Sequence, residues 1–303
     1  MNIEHYYKVA EHNFCLKLPE SEKLWNALDG QYSPFEITKE KAVAEGLLFS
    51  IDYTREAIPV DGAKCIYDVP TEDGETVVKL YDAGDKGWIF ETAQDHSMPI
   101  CARIAASRDF SKAEIHLETR LLRDAVFGIN NAAMLVYAFA SAAHHTLEFH
   151  SSVIENGGRA YLFLGKSGTG KSTHSSLWLK HIKGSTLMND DNPVVRIWPD
   201  GKVIAYGSPW SGKTPCYKNV SAPVGALVQI RQWPENIITK MSILESYSSV
   251  FSSISGIKDD NSSMADDLNN SLSDLLSAVP CFRMDCRPDE EAAKVCSSKL
   301  LNL

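Results

Sequence analysis

Apolar positions in the first hundred residues come in short runs, at 6–10, 47–53, 65–69, 76–81 and 88–92, each bounded by polar or turn-forming residues. Runs of that length predict β-strands, and Asp73-Gly74 between two of them is a hairpin signal. The period then changes. Between about 117 and 145, Leu121, Leu122, Ala125, Val126, Ile129, Ala133, Val136 and Tyr137 recur at helical spacing and predict one long helix leading into a second domain. Two apolar runs follow, 149–154 and 160–164, separated by Asn156, Gly157 and Gly158. They read as a hairpin whose second strand runs straight into a glycine-rich loop.

Beyond that loop, 172–182 reads as a helix ended by Lys183 and Gly184, and 186–188 as a buried strand. Ile243, Leu244, Tyr247, Val250, Phe251 and Ile254 share one helical face; Leu268, Leu272, Leu275, Leu276 and Val279 share another. The polar stretch 256–263 between them predicts a mobile loop. Pro288, followed by Asp289, Glu290 and Glu291, predicts a final helix with acids at its positive end. The pattern divides the chain into a β-rich part, 1–112, for structure or for recognition of a partner or substrate, and an α/β part with mixed sheets, 113–303.

Composition narrows the classes. A chain of 303 residues suits two domains, and 44% hydrophobic with 23% charged residues excludes disordered and fibrous types. Thirty Lys plus Arg against 39 Asp plus Glu give a net charge of -9, which argues against nucleic acid and anionic membrane as partners. A phosphate ligand then needs a local positive site. Seven cysteines without CxxC spacing predict reduced thiols and a cytoplasmic location, and residues 1–11 lack the basic and apolar regions of a secretory signal. The longest apolar stretch, 132–140, falls short of the ~20 residues that span a bilayer and predicts a core helix.

The candidate chemistry lies in the second part. GKSGTGKS at 165–172 fits G-x-x-x-x-G-K-[ST] and follows the apolar strand Tyr161, Leu162, Phe163, Leu164. In such a loop successive backbone N–H groups curl around phosphate oxygens, the lysine reaches the β and γ phosphates, and the hydroxyl ligates Mg²⁺. The nucleotide-binding set is therefore Gly165, Ser167, Gly168, Thr169, Gly170, Lys171, Ser172 and Thr173, with ATP and Mg²⁺ as the expected cofactors. Phosphoryl transfer to a hydroxyl also needs a carboxylate for the metal and a base near the acceptor. Asp190 and Asp191 follow the strand 186–188 and are expected at its carboxyl end, where the phosphate loop also opens. Ser172 and one of the pair Asp190 and Asp191 are the expected metal ligands, the other aspartate being the expected base.

GSPWSGKT at 207–214 satisfies the same pattern, but Pro209 lies inside it, Pro215 follows, and no helical apolar face succeeds it. It is not a second phosphate loop. Ser211, Gly212 and Lys213 still offer a hydroxyl, backbone donors and a cation, and they are the expected second anion contact. His150 lies on the strand paired with the one that feeds the loop. His144, His145 and His150 lack a zinc spacing.

His150, the 165–172 loop with Thr173, His174 and Ser175, and the pair Asp190 and Asp191 together resemble the core of the HPr kinase/phosphorylase and phosphoenolpyruvate carboxykinase superfamily. The resemblance covers about 147–192, and the 207–213 stretch resembles HPr-kinase-related proteins. It implies a P-loop core of that superfamily behind an N-terminal β-rich domain. It further implies Asp190 and Asp191 as metal ligand and base, and His150 beside the transferred phosphate or a metal. The segment that follows the aspartates in HPr kinases is not evident, so the resemblance does not extend to HPr as acceptor. The expected activity is ATP- and Mg²⁺-dependent transfer to a hydroxyl of a protein, peptide or small molecule, foremost a serine. The alternatives are a carboxykinase-type enzyme and a nucleotide-binding module without turnover.

Overall fold

In the computed structural model the described residues are 1–68, 76–212, 214–256 and 263–303. The expected Asp73-Gly74 turn, residues 257–262 of the polar loop, and Lys213 lie outside them. The chain forms two units, Met1–Ala140 and Ser141–Leu303.

The first unit contains β1 (Asn2–Val9), β2 (His12–Pro19), α1 (Glu22–Tyr32), β3 (Glu36–Ile37), α2 (Lys39–Glu45), β4 (Phe49–Tyr53), β5 (Lys64–Asp68), β6 (Val77–Asp82), β7 (Trp88–Ala93), β8 (Ala102–Ala106), β9 (Lys112–Leu117) and most of α3 (Leu122–Ala142). Its strands make one sheet in the order β3-β1-β2-β4-β9-β8-β7-β6-β5. The β2–β4 and β4–β9 pairs are parallel and the others antiparallel, so the sheet is mixed. Period-two alternation sorts its two faces. On one, Tyr7 stacks near Phe14 and Tyr32 of α1; on the other, Tyr6 and Cys15 pack on Ala42 of α2.

Helix α3 is long and apolar enough, by length and composition alone, to cross a membrane, but 61% of its most apolar window is buried within the protein. It extends well beyond 132–140 because Asn130 and Asn131 continue the helix instead of ending it; the Asn131 amide donates to Phe127 O at 2.9 Å. The sequence reading assigned this helix to the second domain. It belongs largely to the first, because its buried face completes that core. Tyr137 donates to Val9 O at 3.0 Å and lies edge-on to Phe14 and Phe49, while Phe139 packs on Phe90 and Phe110.

The second unit runs β10 (Thr146–Glu148), β11 (Ser151–Asn156), β12 (Arg159–Leu164), α4 (Lys171–His181), β13 (Thr186–Asp191), β14 (Val194–Ile197), β15 (Val203–Tyr206), β16 (Ser221–Gln232), β17 (Ile237–Lys240), α5 (Ile243–Phe251), α6 (Ser263–Ala278), β18 (Cys281–Cys286) and α7 (Glu290–Leu300). The sheet order is β10-β14-β15-β16-β12-β11-β13, with β18 parallel to β16 and β17 antiparallel to β18. Strand β12 is buried on both faces, which explains its continuous apolar run. Leu162 and Leu164 join a core under α5 and α6; Tyr161 and Phe163 join another with Trp178 of α4 and Ala292, Ala293 and Cys296 of α7. Helix α7 starts where the acids place it, with Asp289 as N-cap accepting from Ala292 N at 3.0 Å.

Candidate functional site

Strand register assembles the site. β11 and β12 form the expected hairpin, closed by Gly157 and Gly158 at positive φ, and β13 pairs antiparallel on the other side of β11. Ser151 therefore lies opposite Leu164 on one flank and Asp191 on the other. The residues that follow β12, the carboxylates that end β13, and His150, which precedes β11, come to a common edge.

The loop after β12 has Gly165, Gly168 and Gly170 at φ +147°, +76° and +104°. Gly165 is the tightest of them: a Cβ there would lie 2.5 Å from Thr169 Oγ1 and 3.3 Å from Ile230 O. Thr169 closes the turn by donating from Oγ1 to Lys166 O at 2.8 Å, and Gln232 at the end of β16 holds Gly168 O at 3.1 Å. Gly170 is the N-cap of α4, so the first N–H groups of an 11-residue helix face the loop. Lys171 is the first residue of that helix and is 8% exposed. Its ammonium reaches Gly165 O at 2.9 Å, Lys166 O at 3.4 Å and His150 Nε2 at 2.8 Å. Burial pulls the Lys171 pKa below the ordinary lysine value, and Asp191 and Asp190 oppose that shift. Ser167, Ser172 and Thr173 are exposed beside it.

The aspartates were expected just past a short strand. They are instead the last two residues of β13, which runs on to Asp191. Their side chains go to different partners, which removes the repulsion expected of two adjacent carboxylates. Asp190 is 5% exposed and accepts from Ser172 Oγ at 3.0 Å. Asp191 takes φ +119°, a strained value for a residue with a side chain, and its Oδ1 lies 3.0 Å from His150 Nδ1.

Ser211 and Gly212 act differently from the expectation. Gly212 N and Ser211 Oγ both donate to Asp190 O, at 2.8 and 2.9 Å, and Ser211 bridges Asp191. Two of the donors assigned to an anion therefore hold the aspartate strand, because residues 210–212 lie against β13. No helix follows it among the described residues.

Two buried residues escaped the sequence reading. Asn189, fully buried, donates to Trp210 O at 3.0 Å and Ser208 Oγ at 3.2 Å and accepts from Asn192 N at 3.0 Å, clamping Ser208 and Trp210 to β13. Glu148, 1% exposed at the end of β10, has both oxygens without a hydrogen-bond partner, as has the buried Ser151 hydroxyl. Burial first, and then the Asp191 charge, push the Glu148 pKa well above the ordinary carboxylate value. The available signal was a lone acid between two apolar residues, Leu147 and Phe149.

A hydroxyl on a carboxylate, Ser172 on Asp190, is a hard-oxygen donor pair that fits Mg²⁺. Among the described residues no three His, Cys, Asp or Glu groups form a ready-made metal cage.

No family model matches the chain, and no curated protein matches it. Among solved structures it is similar to the HPr(Ser) kinase/phosphatase from Coxiella burnetii, at 9% identity over 51% of this chain and 94% of that chain, with a TM-score of 0.30. This is a distant similarity, and the functional reading below is carried by residues of this chain.

Proposed function

We propose that the second unit is an ATP-dependent phosphotransferase that moves the γ-phosphate to a hydroxyl, foremost a serine of a protein or peptide. The observation that carries the reading is the meeting of three groups at one sheet edge. These are the glycine loop with Lys171, the Ser172–Asp190 pair, and the His150–Asp191 pair. The loop amides and Lys171 receive the phosphates at the positive end of α4. Ser172 Oγ and Asp190 would hold Mg²⁺, which when bound supplies charge neutralisation at the phosphates. Asp191 and His150, joined to each other and to Lys171, serve as the proton-accepting machinery for the incoming hydroxyl. Ser211 and Gly212 fix the Asp190 backbone within β13, so the metal carboxylate is oriented before substrate arrives.

The test is incubation of the full chain with labelled ATP, Mg²⁺ and native cell extract, followed by identification of labelled acceptors by mass spectrometry. A labelled hydroxyl supports the reading. Bound ATP with no labelled acceptor would make this a nucleotide-binding module, and nucleotide consumption that depends on oxaloacetate would make it a carboxykinase.

A further inference from the structure

The three hydrogens of the Lys171 ammonium are all taken by protein acceptors, Gly165 O, Lys166 O and His150 Nε2. The last contact determines the imidazole. An ammonium only donates, so Nε2 must carry its lone pair toward Lys171, and the remaining proton must sit on Nδ1. Nδ1 is 3.0 Å from Asp191 Oδ1, a carboxylate that only accepts. The line Lys171, His150, Asp191 is thus polarised in one sense throughout: a basic nitrogen faces the phosphate loop, and a carboxylate behind it fixes the tautomer. His150 is backed by structure on its main chain too, where its N–H donates to Ser253 O at 2.7 Å.

We propose that His150 Nε2, oriented by Asp191, takes the acceptor's hydroxyl proton, and that Lys171 covers this nitrogen until a triphosphate draws the lysine away. The inference rests on the phosphotransferase reading and moves the proton-accepting atom from Asp191 to His150. In the step, the hydroxyl oxygen forms a bond to the γ-phosphorus while the bond from that phosphorus to the β–γ bridging oxygen breaks. The bridging electron pair leaves with the diphosphate. The hydroxyl proton passes to Nε2, and the imidazolium so formed is stabilised by the Asp191 carboxylate. The regulatory consequence is that the base is masked while the site holds no nucleotide. Lys171 exchanges an imidazole for phosphate oxygens, and one movement both binds the substrate and exposes the base.

The experiment uses the full chain with ¹⁵N-labelled histidine, observed by NMR with and without a non-hydrolysable Mg-ATP analogue, beside calorimetry and turnover of His150→Ala. The expected spectrum without nucleotide is a neutral ring protonated at Nδ1, and the analogue shifts the Nε2 resonance as Lys171 leaves it. His150→Ala binds Mg-ATP at least as tightly as the wild type, since no contact has to be broken. It loses ~10²–10⁴-fold in turnover, the usual range for a missing general base, and added imidazole restores at least tenfold of it. A ring protonated at Nε2, an Nε2 resonance indifferent to bound analogue, or a His150→Ala protein that imidazole does not rescue would overturn the inference while leaving the nucleotide site standing. Absence of Mg-ATP binding by the wild type would remove the phosphotransferase reading itself.

Discussion

Gly212→Ala is the substitution that tests residues 207–212 most sharply, because its added methyl group meets the carboxylate that orients the candidate base. A Cβ at Gly212 would lie 2.9 Å from Asp191 Oδ2 and 3.0 Å from both its Cβ and Cγ, where ordinary contact begins at 3.4 Å. The carboxyl group must therefore retreat by about 0.5 Å. Gly212 itself stays out of the left-handed region and keeps its N–H bond to Asp190 O, so the cost to the fold is that of the crowded contact and the weakened Asp191–His150 bond, ~1–3 kcal/mol. The retreat falls on the 3.0 Å bond between Asp191 and His150. A charge-assisted bond of this kind is worth ~1.5–3 kcal/mol, and its loss at the transition state corresponds to roughly ten- to a hundredfold in turnover. The assay is Mg-ATP hydrolysis with water as acceptor, run beside calorimetric Mg-ATP titration and thermal melting. The predicted result is lowered turnover with Mg-ATP affinity near that of the wild type, in a protein that still melts cooperatively at a somewhat lower temperature. Wild-type turnover in a variant that melts normally would refute the reasoning, because it would mean that the Asp191 position does not matter to the chemistry.

Two further substitutions address the carboxylates separately. Asp190→Asn removes the charge that faces Ser172 and keeps its shape, so the Mg²⁺ dependence of nucleotide binding should weaken while binding of metal-free ATP changes little; titrations with and without Mg²⁺ decide it, and equal loss in both would remove Asp190 from the metal role. Glu148→Gln replaces a buried acid whose folded-state pKa is raised by burial, with Asp191 adding to the shift. Such a group contributes stability that is fully present below its unfolded pKa and is lost as pH rises through its folded value. The wild type should therefore lose stability relative to Glu148→Gln as pH increases above the ordinary carboxylate range, read from urea midpoints between pH 4 and pH 8, and parallel profiles for the two proteins would contradict the assignment.

The legibility of this chain varied with how local each signal was. The hairpin of β11 and β12 was readable because its turn is made of glycines, and the phosphate loop because its spacing is fixed by phosphate geometry. In the first unit β2 went unread. Its turn from β1 uses Ala10 and Glu11 at positive φ, 46° and 62°, where a sequence reader looks for glycine or asparagine. β9 was hidden next to the helical pattern, although Ala113 and Ile115 alternate cleanly with exposed Lys112 and Glu114. The domain boundary was misplaced because periodicity identifies a helix but not the core it completes, and only the contacts of Tyr137 and Phe139 assign α3. At the site, the sequence supplied Lys171, Asp190, Asp191 and His150 as types of residue. It could not supply the division of labour between the aspartates, since that depends on which partner each meets across the sheet. Asn189 was invisible for the same reason: an asparagine beside aspartates reads as a turn until its partners on a distant stretch are known.

Phosphoryl transfer at this site requires the loop at 165–172 to receive a nucleotide through Lys171. Calorimetric titration of Mg-ATP into the full chain and into Lys171→Ala tests this directly. The prediction is one nucleotide bound per wild-type chain, and affinity sharply reduced in a Lys171→Ala protein that melts cooperatively. Unchanged affinity and stoichiometry in the folded variant, or a second nucleotide bound by the wild type, would contradict it.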